Sequence, residues 1–184
     1  MKRAVIIHCW GGSSNYAWYP WLKGELEKQG YQVYVPDMPN TDGPKLIEWL
    51  PKLEEVIGEP DDELLLVGHS LGTVTIMRYL ESLSTEQRIR KVIFVAGFTD
   101  QLGFSELENF FETRLDFASI KSKAKGGFVI IQSDDDPFVS EQYGTRLKEE
   151  LDAKLVIKHA AKHMSGAVDG EGACTELPEV IQNL

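Results

Sequence analysis

The chain has 184 residues, 42% of them hydrophobic and 26% charged, the make-up of one globular domain (1–184) with a sizeable core. Asp and Glu total 29 against 19 Lys and Arg, a net charge of −10, and that field repels phosphate backbones and anionic lipid. Neither nucleic acid nor a membrane is therefore an expected partner. Cys9 and Cys174 lack metal spacing and suit free thiols in a reducing cytoplasm.

In chain order, the opening run "AVIIH" (4–8) reads as a strand and is too short for a signal peptide, in keeping with a cytoplasmic protein. "WYPWLKGELEKQG" (18–30) follows as a helix, with Trp18, Trp21, Leu22 and Leu26 on one face and Gly30 as its stop. After the strand "YQVYV" (31–35), "GPKLIEWLPKLEEVIG" carries Pro51 and is expected as two short helices or a kinked one. "ELLLVG" (63–68), "KVIFVAG" (91–97), "GFVIIQ" (127–132) and "AKLVIK" (153–158) are further strands. Their near-continuous apolar character fits a parallel sheet covered on both faces. "SLGTVTIMRYLESL" after Ser70, "SEQYGTRLKEELDA" from a Ser140 cap, and the closing "ELPEVIQNL" supply helices, so the alternation reads as a doubly wound α/β fold. Residues 98–126 break the rhythm. Their "SELENFFETRL" is expected as a helix whose aromatic neighbours either pack it on the sheet or make a small cap over the site.

Gly68-His69-Ser70-Leu71-Gly72 matches G-x-S-x-G, with a strand before it and a helix after it. In such an elbow a strained turn presents the serine Oγ, and the flanking glycines let backbone pass close. Roughly 0.08 accidental matches are expected in a chain of this glycine and serine content, so the context makes Ser70 the candidate nucleophile. The backbone N–H of Leu71, at a helix N-terminus, points to a developing oxyanion. A second donor is expected from "HCWGGSSNYAW", with the Trp10 N–H as the candidate.

A serine nucleophile needs a base and an acid to orient it. His69 lies inside the elbow, and His8 ends the first strand, where it braces the adjacent loop. His163 sits in "AAKHMSGAVDGEG" past the last strand, at the sheet edge where ligand sites gather, with His159 as its competitor. "IIQSDDDPFVS" offers Asp136, which Pro137 biases toward an extended conformation reaching beyond the strand end. Asp134 or Asp135 could instead cap the next helix, and Asp100 is a second place for an acid. Ser, then Asp, then His is the chain order of α/β-hydrolases.

Taken together, "HCWGG…WYPWLKGELEKQG", "WLP", "GHSLG", "DDPF" and "KHM…ELPEV" resemble the small α/β-hydrolases of the retinoblastoma-binding serine hydrolase family, in order and over nearly the whole chain. The resemblance implies Ser70, Asp136 and His163 as a triad, a compact α/β-hydrolase fold with six parallel strands ordered 2-1-3-4-5-6, and hydrolase chemistry. The chain departs from the pattern at Cys9, where hydrolases often have Gly after His, and at Lys162, where Gly is common. In "GACTE" Gly172 replaces the Leu of Leu-x-Cys-x-Glu, so retinoblastoma binding is not carried over. The expected reaction is hydrolysis of a small carboxylic ester or related acyl compound through an acyl-enzyme, with no cofactor and no metal. An acyltransferase or thioesterase with the same triad is the first alternative. A protein-binding module on a hydrolase scaffold is the second.

Overall fold

Six apolar runs become six strands in the computed structural model, which describes residues 1–166 and 172–184. They are β1 (Arg3–Ile7), β2 (Gln32–Tyr34), β3 (Leu64–His69), β4 (Lys91–Val95), β5 (Phe128–Ser133) and β6 (Lys154–Lys158). All neighbours pair parallel, in the order β2-β1-β3-β4-β5-β6. The order reverses between β1 and β3. Loops leaving their C-terminal ends part there and open a crevice, the usual ligand site of such sheets.

Strand residues divide by parity. Val5, Ile7, Leu64, Leu66, Val92 and Phe94 pack one core, whereas Ala4, Ile6, Leu65, Val67, Ile93 and Val95 pack the other. The first core is covered by α2 (Leu46–Ile57), α3 (Leu71–Ser82), α4 (Phe117–Ser122) and α5 (Glu141–Leu151). The second is covered by α1 (Tyr19–Lys28) and α6 (Pro178–Ile181). Both faces are dry, which is why the strands read as continuous apolar runs. Ser140 caps α5 as expected, accepting from the Gln142 amide at 3.4 Å.

Two local expectations change and one is narrowed. α1 buries Tyr19, Leu22 and Leu26, while Trp18 is the buried residue just before it and Trp21 is only partly covered. Of the two forms expected around Pro51, two short helices or one kinked helix, α2 takes the single helix, with Pro51 inside it. The amide that Pro51 lacks would bond the carbonyl of Ile47, a residue 84% exposed, where water can substitute. In 98–126, "SELENFFETRL" forms only a 3-10 turn, Ser105–Phe110. Buried Arg78 takes the carbonyls of Phe110 (2.9 Å) and Thr113 (2.5 Å), which a continuing helix would have used itself.

Candidate active site

Ser70 stands between β3 and α3 at φ 52 and ψ −118, a conformation that costs free energy and persists only where its surroundings enforce it. The glycines enforce it. A Cβ on Gly68 would come within 2.8 Å of the Thr73 nitrogen, and one on Gly72 within 2.3 Å of the Ile7 carbonyl oxygen. The Ser70 amide donates to Val95 O at 2.8 Å, tying the turn to β4.

The parallel pairing of β5 and β6 brings the aspartate run beside the loop after β6. Asp136 accepts the Nδ1–H of His163 at 2.7 Å on Oδ2, and the amides of Phe138 and Val139 at 2.9 and 3.0 Å on Oδ1. The Asp136 side chain is fully buried. His163 therefore carries its proton on Nδ1, leaving Nε2 free to accept one. His159 is turned outward with its side chain 90% exposed and is paired with Asp134. Asp100 is committed elsewhere, accepting from Leu102 N (3.0 Å) and Tyr143 Oη (2.7 Å). Asp134 and Asp135 cap no helix but bond the loop after β6.

The other two histidines are structural. Buried His8 donates from Nδ1 to the Cys9 carbonyl and accepts the Met38 amide on Nε2, and burial lowers its pKa. His69 donates from Nε2 to the carbonyl of His163 at 2.8 Å and accepts from the Tyr19 hydroxyl at 2.7 Å. That hydroxyl accepts the Cys9 amide at 3.1 Å. Burial, and secondarily the charge of His163, hold the His69 pKa down at about 3, so it stays a neutral link. Trp18 Nε1 donates to the next carbonyl, Met164 O, at 2.9 Å. A polar path thus runs from the loop after β1, through the start of α1 and the elbow, to the backbone of His163. Sequence reasoning missed it, because nothing in the spacing pairs Tyr19 with a residue fifty positions later.

Ser70, His163, Trp10 and Leu71 line one cavity of about 240 Å³. Its apolar walls are Phe98, Leu102, Phe104 and Leu107 from the long connection, with Phe138 and Val139 from behind Asp136. Phe104 and Phe138 each keep about two fifths of their surface in solvent, and Phe138 sets its edge against the His163 ring at 5.2 Å. Among the described lining residues there is no carboxylate, lysine or arginine. In the loop after β1 the amides of Gly11 and Gly12 go to Thr41 O and Cys9 O, both at 3.1 Å, beside the expected Trp10 donor. The aromatics of 98–126 therefore divide: Phe110 joins the core, Phe104 reaches the cavity, and buried Phe98 does both.

A six-stranded parallel sheet in this order, with a strained serine at the β3–α3 turn, defines an α/β-hydrolase. The serine hydrolase family model matches residues 4–183, and the chain belongs to that family. It is 33% identical to YdeN of Bacillus subtilis (strain 168) over 184 residues, covering 100% of this chain and 94% of YdeN. The crystal structure of the B. subtilis ydeN gene product superposes with a TM-score of 0.91 at 32% identity, covering 99% of this chain and 96% of that one. Serine hydrolase RBBP9 of Rattus norvegicus is 30% identical over 160 residues, 83% of this chain and 82% of that protein. Est1E of Butyrivibrio proteoclasticus, solved with ferulic acid, shares the fold alone, at 15% identity and a TM-score of 0.71 over 100% of this chain and 85% of that one. By family, then, the chain is an enzyme of the hydrolase class. No helix among the described residues is long and apolar enough to cross a membrane.

Proposed function

We propose that this hydrolase cleaves small, uncharged carboxylic esters or related acyl compounds through an acyl-enzyme on Ser70. Ser70 Oγ attacks the acyl carbonyl as His163 Nε2 takes its proton, and Asp136 stabilises the imidazolium that forms. The N–H groups of Leu71 and Trp10 receive the tetrahedral oxyanion. His163 then returns the proton to the leaving oxygen, and water, activated by the same imidazole, releases the acid.

The observation that carries this reading is the cavity that Ser70 shares with His163, whose far nitrogen rests on a buried carboxylate. A volume of about 240 Å³ lies below the range of drug-sized sites, which favours a small acyl group. Apolar walls favour a neutral one, and the net charge of −10 disfavours polyanionic partners. The segment 98–126 acts in this reading as a small cap, supplying four of the walls. Free Cys9 and Cys174 suit a reducing cytoplasm. A fluorophosphonate should add covalently to Ser70, located by peptide mass spectrometry. Ser70→Ala should lose both the adduct and all but about one part in 10⁴ of hydrolysis of a short p-nitrophenyl ester. An adduct retained in Ser70→Ala removes the assignment.

A further inference from the structure

Asp135, between two other aspartates, and Lys162, next to His163, have no part in the proposed triad. Lys162 has φ 49, and its loop also turns left-handed at Ala160 (φ 50) and Met164 (φ 51). That region is disfavoured for residues with a Cβ. Two of these turns, at Ala160 and Lys162, precede His163. The sequence separation across β5 and β6 is 25 at the last sheet pair, Ser133↔Lys158, and 27 at Asp136–His163. Two extra residues must be taken up between them, and the left-handed turns at Ala160 and Lys162 lie within that interval.

The aspartate run holds that interval at successive points. Asp134 accepts the Ala160 amide at 3.0 Å and pairs with His159. Ser133 Oγ accepts the Ala161 amide at 3.1 Å and donates to Asp135 at 2.8 Å. Asp135 takes Lys162 at both ends, its amide on Oδ1 at 2.8 Å and its ammonium on Oδ2 at 2.9 Å. These contacts, the Lys162 side chain first among them, lower the Asp135 pKa to about 2, so the carboxylate is charged at neutral pH. A lone exposed ion pair contributes little to stability. One carboxylate bonded to both backbone and side chain of the same residue constrains how that residue turns, and the next residue is His163.

We propose that Asp135 is a positioning residue, which by gripping the amide and ammonium of Lys162 fixes the left-handed turn that delivers His163 to Asp136 and the cavity. This rests on the reading of His163 as the base. In this chain the grip does for lysine what a glycine does by conformational freedom.

The test measures the rate of fluorophosphonate addition to Ser70 in Asp135→Ala, Lys162→Gly and the double variant, with thermal melts alongside. Asp135→Ala should slow addition roughly ten- to a hundredfold, the scale of a small misplacement of a catalytic group. In the Lys162→Gly background, the same Asp135→Ala change should cost no more than about threefold; a merely structural ion pair would show its coupling in the melts and leave the rate unmoved. Equal slowing in both backgrounds, or wild-type speed in Asp135→Ala, overturns the proposal. Should Asp135→Ala not fold, Asp135→Asn decides: it keeps an oxygen for the Lys162 amide, loses the ion pair, and should give a smaller slowing that Lys162→Gly again suppresses. The low-field proton resonance of His163 Nδ1–H is an independent readout, sharp in the wild type and broadened without the grip; equal sharpness in both overturns it. Failure of the parent reading looks different. An unlabelled wild type, or an adduct surviving Ser70→Ala, removes Ser70 and leaves that resonance to decide on Asp135.

Discussion

Around Ser70, backbone leaves no room for side chains: a Cβ on Gly72 would sit 2.3 Å from Ile7 O, and one on Gly68 2.8 Å from Thr73 N. Around His163, side chains hold backbone: Asp134, Asp135, Ser133, Trp18 and His69 bond five consecutive residues from Ala160 to Met164. The first arrangement is steric and cannot be partly lost. The second is a set of separate polar contacts, several of them charged, so it should weaken by degrees and respond to pH. The elbow's glycine pattern is contained in five residues, although Gly72 clears β1 backbone and Ser70 bonds β4, whereas the His163 loop draws its side-chain partners from three other places in the chain.

The sharpest way to break this contrast lies at Asp136. Asp136→Asn should reduce ester turnover about 10³- to 10⁴-fold by allowing the wrong His163 tautomer. Its stability should change by only about 1 kcal/mol, because the amide oxygen can still accept from Phe138 and Val139. Turnover above a tenth of wild type would mean that the carboxylate does not orient the base. Next in size is Gly72→Ala, whose Cβ has only backbone to displace. A loss of about 3 kcal/mol or more in denaturant unfolding is expected, and a shift below about 1 kcal/mol would show that the elbow can yield.

A smaller effect tests the polar side. The His69 pKa falls from 6.5 to about 3 on folding, chiefly through burial. Between those values the unfolded chain binds a proton that the folded one refuses. Stability from this source is therefore complete above pH 6.5 and is lost as pH falls toward 3. The loss is on the order of 2 kcal/mol by pH 5, and buried His8 adds to it in the same direction. Melting curves of His69→Gln should show a shallower decline with acid than wild type; an identical decline would place the acid sensitivity elsewhere. The smallest effect belongs to His159→Ala. An exposed pair with Asp134 should be worth no more than about 0.5 kcal/mol, with turnover within about twofold of wild type. A large loss of turnover would move the base to His159.

Much of this molecule is legible residue by residue. The apolar runs place all six strands to within a residue or two, because a strand buried on both faces has few polar positions. GHSLG locates the turn, because its glycine spacing is written in five residues between a strand and a helix, even though the backbone that Gly72 must clear belongs to β1. Legibility falls where distant side chains intervene. Arg78 stops the turn after Ser105 by taking the carbonyls of Phe110 and Thr113, and no pattern within 105–115 records that. Pro51 alone did not choose between two helices and one, and the helix continues because the carbonyl left without a partner, that of Ile47, lies at the surface.

The sequence by itself determined the parallel sheet, the serine turn and the order of the three candidate catalytic residues. These follow from side-chain period, glycine spacing and chain order, all of which can be read along the chain. Tertiary structure decided which histidine meets a buried carboxylate, His163 and not His159, and which of Asp134, Asp135 and Asp136 that carboxylate is, Asp136. Each rival set lies on one short loop, so composition hardly separates its members. What separates them is where two extra residues are absorbed beyond the ends of β5 and β6. Those left-handed turns bring His163 inward onto buried Asp136 and leave His159 in solvent.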